Sequence, residues 1–164
     1  MRYETNIEGL EILEAKEEHV DDILNLILEI AKYEKMLSEV KATKESLMES
    51  LFIKKRAYVL LAKYHEKIVG YMLYFYNYST FVGNANLYLE DIFILKEYRH
   101  LGIGKTFFKI LAEIAKKENC HRIDWVCLNW NEPSLKFYQS MGAKKLDEWV
   151  LHRLEGQAIQ KLLD

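Results

Sequence analysis

The sequence predicts an α/β fold, a three-layer domain built on a central sheet. Three observations point there. Apolar runs of strand length alternate with segments of helical period along the whole chain. Residues 87–118 read as one unit of strand, glycine loop and helix. Half of the 164 residues are hydrophobic and only one is proline, enough apolar material to bury a sizeable core, so a single domain over 1–164 is expected.

Taken in order, LEILEA at 10–15 suggests a first strand. Val20, Ile23, Leu24, Ile27, Leu28, Ile30 and Ala31 then recur at helical spacing, predicting a helix to about Lys35. Tyr33 and Glu34 near its end read, from the residues alone, as an ordinary exposed helix end. Thr43 suits the N-cap of a short helix over 44–52. Residues 57–63 and 67–78 are apolar and β-branched or aromatic, with a hairpin turn between them at 64–67. Most aromatics of YMLYFYNY, at 71–78, are expected to pack on a sheet face. A loop at 79–86 containing Gly83 leads to the apolar strand 87–95, and a helix follows at about 104–118. Another strand is expected at 122–128, then a turn at 129–134 into a helix through Met141. Pro133 fits its first turn and Gly142 its end. Residues 144–153 should form a last long strand, followed by a short amphipathic tail at 157–163.

Composition excludes several functions. A formal net charge of −2, with lysines scattered rather than blocked, gives no case for nucleic-acid binding. No stretch approaches a membrane span, and Glu4, Glu8, Glu11 and Glu14 interrupt any leader-like apolar run. Cys120 and Cys127 form neither a disulfide framework nor a ligand set, and the histidines lack metal spacing, so no metal is expected. Cys127 reads as core, with no histidine spaced to activate it. A reducing cytoplasm is the default expectation.

The chemistry concentrates in LYLEDIFILKEYRHLGIGKT, residues 87–106. Glu90 and Asp91 interrupt an otherwise apolar strand, and buried charge is costly unless something pairs it. The glycine loop between strand end and helix start offers outward N–H groups and a favourable dipole for a phosphate. Walker A needs glycine where Arg99 stands, and the dinucleotide fingerprint needs a small residue where Phe107 stands. What remains is Arg99-x-x-Gly102-x-Gly104. It closely resembles the acyl-CoA pyrophosphate loop of the GNAT superfamily of N-acetyltransferases.

A second motif, NWNEPSLKFYQSMGA at 129–143, resembles the same superfamily's region for CoA and its sulfur, with an Asn, a helical Tyr and Met-Gly-Ala. With LYLED, YRHLGIG and AKYEKM (31–36), the chain is similar to the diamine acetyltransferases, the spermidine/spermine N-acetyltransferase group, from about Leu10 to Leu162. This resemblance implies an α/β/α fold with a central mixed sheet, acetyl-CoA as co-substrate, a small-molecule amine acceptor and a homodimer. It implies that Ile92, Phe93 and Ile94 hold the pantetheine arm by their backbone. Arg99, His100, Leu101, Gly102, Ile103, Gly104 and Lys105 would form the pyrophosphate loop. Asn131, Glu132, Pro133, Ser134 and Met141 would lie at the CoA. Tyr33, Glu34, Glu90, Asp91, Asp124, Trp125 and Val126 would form the amine pocket, and Tyr138 would be the general acid.

The residues suit that chemistry. An alkyl ammonium has a pKa near ~10 and must lose its proton before it attacks. Glu90, beside Asp91 in an apolar strand, is expected to be raised by desolvation and like charge into a useful base, acting directly or through water. An ion pair with Arg99 or Lys105 is the structural alternative. Tyr138 is protonated at neutral pH and suits donation to a departing thiolate; the alternative is a core tyrosine beside Phe137. A silent acyl-CoA-binding domain and an acetylase of protein lysines are competing functions. Within the resemblance, the polyamine-preferring branch has an aspartate and a tryptophan where Ser79 and Phe81 stand. YSTFVG and EGQAIQKLL look instead like the thialysine N-acetyltransferase branch, so short amines or lysine analogues are expected ahead of spermine.

Overall fold

The structure is a computed structural model and describes residues 1–163. The chain forms two compact units, Met1–Val126 and the residues from Cys127 onward.

The first unit is built on a six-stranded sheet in chain order. Its strands are β1 (Arg2–Glu4), β2 (Leu10–Glu14), β3 (Tyr58–Tyr64), β4 (Lys67–Ser79), β5 (Asn84–Ile94) and β6 (Ile123–Asp124). The pairs from β1 to β5 are antiparallel and β6 joins β5 in parallel, making the sheet mixed. His65 and Glu66 both take left-handed backbone in the β3–β4 turn, as a two-residue hairpin demands. Helix α1 (Val20–Tyr33) and the short α2 (Lys44–Leu47), continued by a π-helical turn over Met48–Ile53, cover one face. Thr43 caps α2 as expected, its Oγ1 accepting the Ser46 N–H while the Ser46 hydroxyl oxygen accepts the Thr43 N–H.

Helix α3 (Ile103–Lys117) covers the other face. Its fully buried Phe107 and Leu111 meet Leu60, Met72, Leu87 and Leu89 of the sheet. On the opposite face Ile23 and Leu26 of α1 meet Leu61, Tyr71 and Phe93. Period-2 alternation in β3, β4 and β5 feeds both cores, and the helical stripes of α1 and α3 cover them. Gly70 answers a close approach: a Cβ there would stand 2.7 Å from the Phe93 carbonyl oxygen.

Two strand expectations are corrected. The strand read over 122–128 shrinks to two residues. Asn86 Oδ1 accepts the His121 N–H at 3.2 Å and Asn84 Nδ2 donates to the Asn119 carbonyl at 2.8 Å, which pins the start of β6 to the first half of β5. The last long strand expected at 144–153 is absent: those residues are irregular, and Trp149, Val150 and Leu151 are exposed. An apolar run makes a strand only where a partner completes the ladder, and none of the six strands pairs with this segment. The second unit carries α4 (Glu132–Ser140) and α5 (Gln157–Gln160). Sequence reasoning also missed β1, too short to show a period.

Truncating Phe107 to alanine removes a fully buried ring from the α3 core. Urea unfolding of Phe107→Ala should show a loss of about 3–5 kcal/mol with an unchanged m-value.

Candidate active site

In β5, Leu73 pairs with Asp91 and Tyr74 with Leu89, so Glu90 is the extra residue of a β-bulge. The bulge reverses the strand. Before it, the Leu87 N–H donates to Arg122 of the β6 segment; after it, the Leu95 N–H donates to Val69 of β4. Ile92 and Ile94 therefore turn their backbone groups to the edge away from β4, and Phe93 turns its own toward β4. That edge is open, because β6 pairs with β5 only at Leu87 and Tyr88. Side chains reverse as well: Leu89 points into the α3 core, and Asp91 joins Phe93 on the α1 face.

The glycine loop follows the open edge. His100 and Gly102 both adopt left-handed backbone, Gly102 with φ +86° as the N-cap of α3. The first N–H groups of α3, from Ile103 to Lys105, have no intrahelical acceptor. No acidic residue occupies that first turn. Leu101 is exposed at its tip. Arg99 is turned back: its Nε donates to the Ile94 carbonyl at 3.0 Å, and its guanidinium lies 4.9 Å from the Tyr33 ring centroid and 5.5 Å from that of Phe93. Arg99 thus ties the loop, the end of β5 and the end of α1 together.

At that end of α1 sits an acidic group. Asp91 is largely buried, and burial pushes its carboxyl above the usual carboxylate range while the Tyr71 hydroxyl, donating to Oδ2 at 2.8 Å, pulls it back. Glu34, the C-cap of α1, is raised by its own burial and by the Asp91 charge. A helix C-terminus further disfavours an anion. Among the described residues neither Glu34 nor Asp91 forms an ion pair with a lysine or arginine. Glu90, in contrast, is exposed at the bulge. The desolvation expected at Glu90 therefore falls on its neighbour, because the bulge turns Asp91 inward.

The other predicted amine-pocket residues lie elsewhere. Trp125 packs edge-on against Phe108 of α3, centroids 5.4 Å apart, on the face opposite Glu34 and Asp91. Asp124 Oδ2 accepts from Arg122 Nε at 2.9 Å and Asn77 Nδ2 at 3.4 Å, and Val126 is exposed. Ser79 is a turn residue whose Oγ accepts the Val82 N–H, and Phe81 is fully exposed. In the second unit, buried Asn131 caps α4, its Oδ1 accepting the Ser134 N–H at 3.4 Å; Glu132 and Pro133 fill the first turn. Tyr138 is half-buried with its ring 5.6 Å from Phe137, and Met141 is the C-cap ahead of Gly142 at φ +87°. Tyr71 was missed in sequence, one aromatic among many. Only the register shows it diagonal to Asp91.

Among the described residues no helix is long and apolar enough to cross a membrane, and no group of three or more His, Cys, Asp or Glu is arranged to hold a metal.

Residues 20–143 match the Acetyltransferase (GNAT) family. The chain is 38% identical over 163 residues to a thialysine N-epsilon-acetyltransferase of Bos taurus, covering 92% of this chain and 95% of the relative. It is 32% identical over 161 residues to the enzyme of that name from Caenorhabditis elegans, covering 96% and 99%. Among solved structures it resembles an integron cassette protein from the mobile metagenome of V. cholerae, at 28% identity and a TM-score of 0.79, covering 94% of this chain and 98% of that one.

Because the Asp91 carboxyl is raised in the folded state, its ionisation opposes folding as pH rises through that value. Asp91→Asn should therefore melt higher than the parent at pH 7–8. The gain should shrink as pH falls through the raised folded value and vanish well below ~3.9, where the parent carboxyl is protonated in both states. Thermal scans of both proteins across that range measure it.

Proposed function

The chain belongs to the acetyltransferase (GNAT) family and is an N-acetyltransferase, and we propose that it moves an acetyl group from acetyl-CoA to a primary amine of a small diamine or a lysine analogue such as thialysine. The observation that carries the amine is the pair Glu34 and Asp91: two carboxyls raised by burial, neither in an ion pair with a lysine or arginine among the described residues. Perturbed titration at an acidic site without a paired cation supports a place where a ligand supplies the missing charge.

The residues fit the acyl donor too. The edge groups of Ile92 and the Ile94 N–H suit the amides of an extended arm added as a strand, with Phe93 keeping that edge in line and the Ile94 carbonyl already accepting from Arg99. The α3 N-terminus, with His100 and Lys105 beside it, suits a pyrophosphate, and Arg99 sets the loop's position. Asn131 to Ser134 and Met141 are proposed as further CoA contacts. When bound, acetyl-CoA supplies an acetyl thioester. Glu90 is proposed to accept the ammonium proton, directly or through one water; its exposure at the bulge suits the second route. The freed nitrogen lone pair then forms the C–N bond. Tyr138 is proposed to give its proton to the sulfur as the C–S bond breaks with its electron pair, and the second proton that the nitrogen sheds as the amide forms returns through solvent to the Tyr138 phenolate. Backbone N–H groups of the bulged strand are proposed to hold the carbonyl oxygen as charge develops on it. Tyr33 is proposed to line the amine pocket.

Substrate preference for short amines rests on the two thialysine-acetyltransferase relatives and on the position of Ser79. That residue lies six positions along β4 from Leu73, the partner of Asp91, or about 20 Å away. Ser79 itself brings no carboxylate to anchor the far end of a polyamine. A homodimer working in the cytoplasm, without metal, nucleic acid or membrane partner, completes the proposal.

Acetyl-CoA should raise the melting temperature, and a thiol-release assay should show higher kcat/KM for thialysine and short diamines than for spermidine or spermine. Preference for spermine would move the enzyme to the polyamine branch, activity on protein lysines alone would move it to another acceptor class, and no turnover would leave an acyl-CoA-binding domain. Tyr138→Phe should lower kcat by roughly 10²-fold or more with acetyl-CoA binding retained, and Glu90→Gln should weaken the rise of rate with pH. Full activity in both variants would remove the acid and base assignments.

A further inference from the structure

Tyr71 is completely buried in the middle of β4. It pairs with Phe93 and lies diagonal to Asp91, with both side chains beneath α1. A phenylalanine would fill the same space, and a buried hydroxyl is unfavourable unless it finds a partner. Its partner is Asp91 Oδ2, at 2.8 Å. Burial and the Asp91 charge push the Tyr71 phenol well above its ordinary value, so it stays a donor throughout the working range. We propose that Tyr71 is a specificity-determining positioning residue: its hydroxyl holds Asp91 in place as the anion that, with Glu34, pairs with the second, non-reacting cationic group of the acceptor.

The inference rests on the amine-acetyltransferase reading and deepens it. A buried anion favours the protonated form of a nearby amine. That hinders a nitrogen that must lose its proton and suits one that stays charged. Glu90, exposed at the bulge, is assigned to the reacting nitrogen. The groups that face Asp91 are Tyr71 from β4, Glu34 from the end of α1 and Glu90 beside it on β5. The Arg99 guanidinium is engaged over Tyr33 and Phe93. The Tyr71 hydroxyl is thus what opposes the effect of burial on this carboxyl.

The test compares pentane-1,5-diamine with pentylamine, which lacks the second cation. In Tyr71→Phe the diamine KM should rise about tenfold with kcat within about twofold. Pentylamine kcat/KM and the acetyl-CoA KM should stay within about twofold of the parent. The acid limb of diamine kcat/KM should move up by about one pH unit, because without the hydroxyl Asp91 takes its proton at higher pH. An equal loss for both amines, or an unmoved acid limb, overturns the proposal. Adding Tyr71→Phe to Asp91→Asn should bring no further loss for the diamine, and an additive loss also overturns it. A melting shift with acetyl-CoA equal to the parent's shows that Tyr71→Phe is folded. Calorimetric binding of the diamine without acetyl-CoA reads the same contrast without turnover. Tyr71-dependent binding without acetylation supports the inference and fails only the transfer reading; absence of diamine binding overturns the inference even where acetylation of pentylamine stands.

Discussion

One extra residue in β5, Glu90, governs the arrangement of the first unit. A regular strand would send Leu89 and Asp91 to the same face and keep its backbone groups in one alternation. The bulge breaks both patterns at once. Leu89 remains in the α3 core, Asp91 goes under α1, and the backbone of Ile92 and Ile94 faces the edge that β6 leaves open. The short β6 depends on a separate constraint, the Asn84 and Asn86 side chains that hold the chain entering it. A longer β6 would cover the edge that the donor's arm is proposed to occupy.

Around this bulge the charges divide. The loop side presents the positive end of α3 with His100 and Lys105 and no acid in its first turn. The α1 side presents Glu34 and Asp91, both raised and, among the described residues, neither in an ion pair with a lysine or arginine. The proposed anionic donor and cationic acceptor would then be drawn to different places along the same strand. Arg99 sits between them without neutralising either, its guanidinium laid on aromatic rings and its Nε on a carbonyl. The arrangement opposes stability, since an ionised, largely buried Asp91 beside a half-buried Glu34 at a helix C-terminus is unfavourable. Function and stability therefore pull on Asp91 in opposite directions, and the Tyr71 hydroxyl moderates the conflict.

Much of this was legible in the chain. The helical stripes of α1 and α3 and the apolar strands 57–63 and 67–78 repeat often enough for their period to show. The Thr43 cap and the His65-Glu66 turn carry their own local chemistry. The carboxylates in an apolar strand and the Arg99-x-x-Gly102-x-Gly104 spacing marked the site. The reading failed where a contact distant in sequence decides the outcome. It assigned burial to Glu90 rather than Asp91, because a bulge shows only in the register of two paired strands.

The amino-acid sequence by itself determined what is local or periodic: which segments are helices or strands, where the glycine loop turns, and which residue types are available for acid, base and phosphate chemistry. These follow from backbone preferences and short-range spacing, which each segment carries with it. The tertiary structure alone decided which way each side chain faces along β5, where β6 stops, and which of two adjacent carboxyls loses its water. It also decided that 144–153, despite its apolar residues, does not become a strand. Each of these depends on the partner that arrives across the sheet, and a strand's own residues do not specify that partner's register.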